Sequence, residues 1–506
     1  MALLFLTFLD NTVVSPILTG VQSDLHAGVT DLQWVVGAYA LAFASLMLLF
    51  GGLADLFGRT TVLLGGVVIF LVGSVACAVA DTPTTLIAGR VIMGVGAAAS
   101  EPGTLSLIRH LFPVPRRRAR ALGVWAAVSG LALAMGPVLG GLMVGAWSWR
   151  AVFWFNVIFG GVVLIAGVVT LPRFAPATHG RIDAAGFALS AAALAAATYA
   201  TIAGENAGYR SGHVITWYVV AATAAAAFVV VEHRSDHPMV DLRYFRRPVF
   251  FGANAVAFAS YFAVFSIFFF VALYLEVVVG ASPYELALDF APMLAGMVVG
   301  SLVAGAWVSR RGSRLPMVLG ALIAAAGVVA TDLVIGPHAS VGSLGGAMGL
   351  AGVGFGIVVV PVTASALAAI PAAHSGMASS TVNTARELGA VAGVAVLGSV
   401  VNGQLTVDLM NRLASIGVPP SFRREVITAL TTGTLSSQAA QAAGTSSAAV
   451  QAIINRVVGA AYGALAHGLH LALGASAVLL VLAAAVAATV TRDGGGFAAV
   501  AADLAE

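Results

Sequence analysis

The chain has 506 residues, 60% of them apolar and only 9% charged, with a formal net charge of +3. Water-soluble domains carry about 25% charged residues, so this composition excludes a soluble fold and describes an integral membrane protein. Its apolar residues come in blocks of about 20, the length of a membrane helix, not in the roughly ten-residue alternation of a membrane β-barrel strand.

The single cysteine, Cys77, lies inside one such block, which excludes an intrachain disulfide and a thiolate metal cluster. All 24 basic side chains are arginine. Their role is read as orienting helices, with no nucleic-acid partner implied.

Hydropathy, Pro/Gly breaks and charge clusters predict fourteen helices in chain order. They run over 2–22, 31–52, 60–80, 84–108, 120–145, 150–171, 183–204, 213–232, 248–276, 284–308, 314–335, 342–369, 379–402 and 464–490. The first block lacks a basic leader and is interrupted by Asp10, so it reads as a span and not a cleaved signal. It starts abruptly, as at a truncation or a late start.

Arginine placement supports an even count. Seventeen arginines, from Arg59 to Arg492, fall on loops 53–59, 109–119, 172–182, 233–247, 309–314 and 370–386 or their edges and in the tail. Only Arg150 and Arg210 fall on the short opposite loops. The positive-inside rule then puts both termini in the cytoplasm, with the chain crossing the inner (cytoplasmic) membrane many times. Segment 403–463, rich in Ala, Ser, Thr and Gln, is read as an outer amphipathic stretch.

A weak repeat is visible: Gly305–Gly312 echoes Gly51–Gly58 with the same Gly-to-Gly spacing. The copies follow spans 2 and 10, as two six-helix halves separated by an inserted pair would place them. The expected division is 1–171, a linker with two helices at 172–247, a second half at 248–490 and a tail at 491–506.

Four groups of residues carry chemistry. In the run Gly51 to Arg59, Gly58 permits a sharp turn, Gly51 permits close helix approach, and Asp55 and Arg59 can latch neighbouring helix ends. In span 5, Gly130, Gly136, Pro137, Gly140 and Gly141 combine a small-residue packing face with a proline that frees a backbone carbonyl.

Asp10, Arg90 and Glu101 are ionisable groups inside spans, where burying charge is costly. Arg90 and Glu101 are eleven residues apart, which returns to nearly the same helix face about 16 Å along the axis. Two readings stand for the acids: carriers of a coupling proton tuned by Arg90, or a structural Asp10–Arg90 pair with Glu101 at the inner rim. In span 9, Phe258, Phe262, Phe265 and Phe269 recur at helical spacing and either face a cavity that stacks planar or cationic compounds or face lipid. Glu276 at its end and Asp289 near the start of span 10 are acids that favour cationic cargo.

The 51–59 run resembles the loop between spans 2 and 3 of major facilitator superfamily transporters, and the span 5 pattern resembles the fifth-span signature of proton-coupled exporters. Asp10 in LDNTVV and Arg90 in LIAGRVIMGVGAAA resemble the family's first- and fourth-span motifs, with Met93 in place of the usual glutamine. Trp149, Arg150, Phe153 and Asn156 resemble the start of the sixth span, where Trp149 is read as an interface anchor. SSTVNTARELGAVAGVAVLGS, with Arg386 and Gly389, and HGLHLALG resemble the thirteenth and last spans.

The chain is thereby identified as similar to the fourteen-span drug:proton antiporter branch, the quaternary-ammonium and multidrug exporter type. The resemblance implies an all-α polytopic membrane protein with the major facilitator fold, two six-helix bundles plus two inserted helices. It implies a monomeric exporter of small lipophilic or cationic drugs, embedded among membrane lipids and exchanging cargo for protons, with no enzyme activity. No Walker-type sequence is present, so the proton-motive force is the expected energy source and no cofactor is expected. A proton-coupled importer and a lipid or glycolipid transporter of the same fold are the alternatives.

Overall fold

A computed structural model describes residues 1–27, 29–172, 183–235, 238, 240–275, 279, 283–335, 341–371, 374–415 and 448–490. Among the described residues all regular structure is helical. The helices are α1 (Ala2–Val13), α2 (Leu18–Leu25), α3 (Val29–Phe57), α4 (Arg59–Ala78), α5 (Pro83–Leu111), α6 (Pro115–Ala146), α7 (Arg150–Thr170), α8 (Ala184–Ala207) and α9 (Gly212–Arg234). They continue with α10 (Pro248–Ser266), α11 (Ala272–Tyr274), α12 (Pro283–Arg311), α13 (Arg314–Val334), α14 (Val341–Ala368), α15 (Ser375–Ser415) and α16 (Ala448–Val490).

Among the described residues, eleven helices are long and apolar enough to cross a membrane, or twelve if the two parts of α6 form one bent span. Two of the fourteen expected spans fall outside that measure. The first is split into α1 and α2 by a 3₁₀ turn at Ser15–Ile17. The thirteenth lies within α15, whose run of Ser, Thr, Asn, Arg and Glu between 379 and 387 lowers its hydropathy.

The helix ends explain several shifts from the expected boundaries. The expected loop 53–59 is almost entirely helix: α3 runs through Phe57, and Gly58 alone makes the turn at φ 91°. Gly312 does the same between α12 and α13 at φ 78°. A left-handed backbone at one position is a glycine conformation, so both copies of the repeat use the same device. Helices α15 and α16 have 41 and 43 residues and occupy both ends of the expected loop 403–463. At 1.5 Å per residue each is about 60 Å or more long, roughly twice the apolar thickness of a bilayer.

The helices pack as two sets joined along two seams. Within the first set α4 lies along α5, α3 along α5, and α1 along α6; within the second α12 lies along α14, α13 along α14, and α10 along α15. The seams are α6 against α12 and α3 against α15. Gly305 of α12 brings its backbone onto Ala119 and Gly123 of α6, and Gly51 of α3 brings its backbone onto Gly376 and Ser380 of α15. The repeated glycines thus make the equivalent close approaches at the two seams. The α8–α9 pair packs outside the second seam, with α8 against α3 and α15.

Candidate functional site

At the arginine-rich end of the bundle, Asp55 crosses the α3–α15 seam. Its carboxylate accepts backbone N–H bonds from Gly376 at 3.1 Å and Met377 at 3.0 Å, at the first turn of α15. Those N–H groups have no partner inside their own helix, and the helix dipole favours an anion there. Arg59 donates to the same carboxylate from the start of α4 at 2.9 Å and also contacts the His110 ring. Ser106 hydrogen-bonds Ser375 at 3.0 Å and Arg109 donates to the Ile370 carbonyl at 2.7 Å, so α5 is tied to the same end of the second set. At the second copy, Ser309 donates to Ala306 of its own helix, and among the described residues it makes no hydrogen bond across the α6–α12 seam. The charged latch is one-sided.

The span 5 motif shapes the contact between α6 and α1. Proline at 137 cannot donate to the carbonyl four residues earlier, Leu133, and that carbonyl accepts a bond from the Thr12 hydroxyl at 3.0 Å. Helix α6 bends by 41° between Leu133 and Val138. A Cβ on Gly136 would lie 1.9 Å from Thr12 Oγ1, and one on Gly140 would lie 2.8 Å from the Val13 carbonyl. Gly130 has ordinary contact distances to Met297 and Val298 of α12, and Gly141 faces open space. The motif is therefore a seat for α1, with Gly141 outside it.

The intramembrane charges divide into two groups. Asp10 is fully buried and receives Arg90 on one oxygen and the Asn156 amide on the other, at 2.9 Å. Arg90 also donates to the Val35 carbonyl at 2.9 Å and stacks on Tyr39 with its guanidinium 4.4 Å from the ring centre. Both ions are thus compensated and held from α1, α3, α5 and α7.

Glu101 is not part of that pair. It is buried farther along α5, within electrostatic reach of Glu387 and Arg386 on α15. Arg386 was counted with the loop 370–386 and also fell inside the expected span 379–402; it lies buried within α15, as the span requires, leaving sixteen arginines in the count. It donates to Asn383 at 2.9 Å and to Thr363 of α14 at 2.5 Å, and lies 5.5 Å from the ring centres of both Trp125 and Tyr261. Trp125 donates to Thr104 at 3.0 Å, one turn from Glu101. Residues of α5, α6, α10, α14 and α15 therefore converge on one arginine and two carboxylates. Glu387 lies inside the expected span 379–402 but was not among its expected site residues; the signal present was an Arg-Glu pair within a predicted membrane helix.

The aromatic stripe of span 9 does not form a single face. A π-helical turn at Ile267–Val271 inserts an extra residue into the register. Phe258 and Phe262 lie beneath Gly389 and Gly393 of α15, and Phe262 is buried. Past the turn Phe269 is 39% exposed, while Phe268 stacks on Phe290 with centroids 5.1 Å apart. Phe265 stacks instead on Tyr261, at 6.0 Å, beside Arg386. Asp289 is buried on α12, and Glu276 lies outside the described residues.

Trp149 is not an exposed anchor. It is 3% exposed, donates to Asp24 at 3.0 Å, and lies beneath the Arg150 guanidinium; Trp147 is the exposed ring. Asn156, from the same motif, serves as a donor to Asp10.

Long apolar helices in two related sets, meeting along two seams and holding charges deep between their ends, define a multi-pass membrane transporter. The chain belongs to the Major Facilitator Superfamily, whose profile matches residues 1–394. It is 36% identical over 397 residues to the methylenomycin A resistance protein of Streptomyces coelicolor, covering 78% of this chain and 82% of that protein. It is 34% identical over 424 residues to the multidrug resistance protein Stp of Mycobacterium tuberculosis, covering 84% and 78%. Among solved structures, the human organic anion transporter MFSD10 superposes with a TM-score of 0.59 at 16% identity, covering 96% of this chain and 98% of that one, a likeness of fold.

Proposed function

We propose that this chain exports lipophilic or cationic drugs across the cytoplasmic membrane in exchange for protons, by alternating access between its two helix sets. The observation that carries the reading is the grouping of the buried Glu101 and Arg386 with the half-buried Glu387 where the two sets face each other. Two carboxylates and one guanidinium leave one negative charge uncompensated in a medium that penalises it. One proton or one monovalent cationic cargo neutralises it, so the two compete for the same charge and are exchanged. Tyr261 and Phe265 beside the cluster offer ring faces to a planar cation. The resistance proteins similar to this chain support drugs as the cargo.

In this reading the Asp10–Arg90–Asn156 group is a positioning element, because all its charge is already paired. The Asp55 latch holds the cytoplasmic end closed in the arrangement described here. Glu387 lies ten residues beyond Met377 on the same helix, about 15 Å along the axis, so neutralising it is felt at the latch through a rigid rod. A ligand drives such a change only through different affinities for the two arrangements. A susceptibility panel of lipophilic and cationic drugs in a pump-deficient host, with and without an uncoupler, tests the function. Resistance that disappears with the uncoupler is expected; resistance that persists, or none to any compound, contradicts it.

A further inference from the structure

The latch at the arginine-rich end contains a histidine. His110 stands in the last turn of α5, half-buried, with its ring against Arg59. Its Nδ1 lies 3.0 Å from the Ser106 carbonyl, which can only accept, so Nδ1 carries the ring proton. Nε2 is then the bare nitrogen, and Arg59 donates to it at 2.5 Å. The same Arg59 donates to the Asp55 carboxylate, from Nη2 at 2.9 Å and from Nε at 3.2 Å. Ring, guanidinium, carboxylate and the N–H groups that start α15 thus form one row across the seam.

Every donor in this row meets an acceptor only while His110 is neutral. A second ring proton puts an N–H on Nε2, where it faces the N–H of Arg59. Among the described residues, the charged groups within electrostatic reach of the ring are Asp55 from α3, Arg59 from α4 and Arg109 from α5 itself. Arg118 of α6 stands behind Arg109. A charged His110 therefore adds a cation where one carboxylate already serves Arg59 and the start of α15.

The end of α5 favours a cation on its last turn whether the two helix sets are joined or parted. The difference lies in α15. When the sets are joined, α15 brings the positive end of its helix dipole, and its Ser375 covers Ser106, one turn before the ring. When they part, both effects go, and Asp55 is left to the cations of its own set. A proton on His110 is therefore held more tightly in the parted arrangement, and by linkage it favours parting.

We propose that His110 is a pH switch on the latch: neutral, it lets the two sets join at this end, and protonated, it parts them. The joined arrangement then loses stability as pH falls through the ordinary histidine value of about 6.5. The switch rests on the export reading only for its physiological sense. On that reading this end is cytoplasmic, so protons released there by exchange hold the carrier open to the cytoplasm and slow their own entry.

Pulsed EPR distances on the purified full-length chain test the switch without a transport assay. Spin labels are placed at V114C and A368C in a Cys77→Ala background, exposed positions near the arginine-rich end on opposite sets. The ratio of parted to joined distances is expected to rise at least about fivefold from pH 8 to pH 5.5. H110Q keeps an acceptor for Arg59 but binds no proton, and its ratio stays at the parent's pH 8 value. H110K carries a fixed cation and is parted at both pH values. D55N is parted at both as well, which shows that the label pair reads the latch. A parent response that disappears in H110Q upholds the switch whatever the chain transports. A parent ratio that does not move with pH, or one that moves equally in H110Q, overturns it. Unchanged distances in D55N overturn the latch and the switch together.

Discussion

The carboxylate of Asp55 lies 3.0 Å from the backbone nitrogen of Met377, joining two helices whose residues are 322 positions apart. The contact places an anion on the open N–H groups of a helix start while Arg59 balances its charge. A charge-assisted hydrogen bond is worth about 1.5–3 kcal/mol, enough to set the balance between joined and parted arrangements. D55N is therefore expected to loosen this end without unfolding the chain. In a Cys77→Ala background, a cysteine at Ser380, which packs against Gly51, reports the opening. Its maleimide labelling in purified protein rises about tenfold in D55N; unchanged labelling shows that the latch is not held by this charge.

The glycines of α6 divide by what a methyl group would meet. G136A drives a Cβ into Thr12 and is expected to lower stability by about 1–3 kcal/mol through overpacking. G141A meets open space and gains helix propensity, so it is expected to be neutral or slightly stabilising. Thermal unfolding of the two variants in detergent separates them. Equal midpoints contradict the seat described for α1.

Removing one partner of the Asp10–Arg90 pair leaves the other charge buried, which costs about 3–5 kcal/mol. D10N is therefore expected to lower the unfolding midpoint sharply. The double variant D10L/R90M, which removes both charges, regains most of the loss. A double-mutant cycle showing simple additivity contradicts the assignment of Asp10 to a positioning role.

Outside the spans, hydrogen bonds from Arg150 and then Trp149 hold the Asp24 carboxyl below its ordinary pKa. A depressed folded value means that the contribution to stability is present above about pH 4 and disappears as pH falls through the lower folded value. D24N is expected to melt below the parent chain at neutral pH and to converge with it under acid. A gap of constant size across that range points to packing in place of charge.

The sequence reveals the fold largely because a bilayer demands helices of fixed length, and it reveals the repeat because the seams demand glycines. Asp55 and Asp10 stand out as single acids in apolar runs, which is why both were legible. What it conceals depends on helix continuity and register. Arg386 belongs on paper both to the loop 370–386 and to the span 379–402, and only its burial within α15 decides between them, while Glu387 beside it gains its role from the approach of α5. The π turn at Ile267–Val271 breaks a stripe that looks regular on paper, since nothing in a run of apolar residues marks the extra residue. Asn156 acquires its role only from α1, brought beside it by the fold.

Proton-driven uptake of a lipophilic cation into everted vesicles from a pump-deficient host bears most directly on Glu387 as an exchanging acid. The expected result is that E387Q loses uphill accumulation by at least about tenfold yet still equilibrates the cation downhill, since neutralising the site removes the exchanged charge and leaves the two arrangements accessible. Full proton-driven accumulation in both E387Q and E101Q would contradict it.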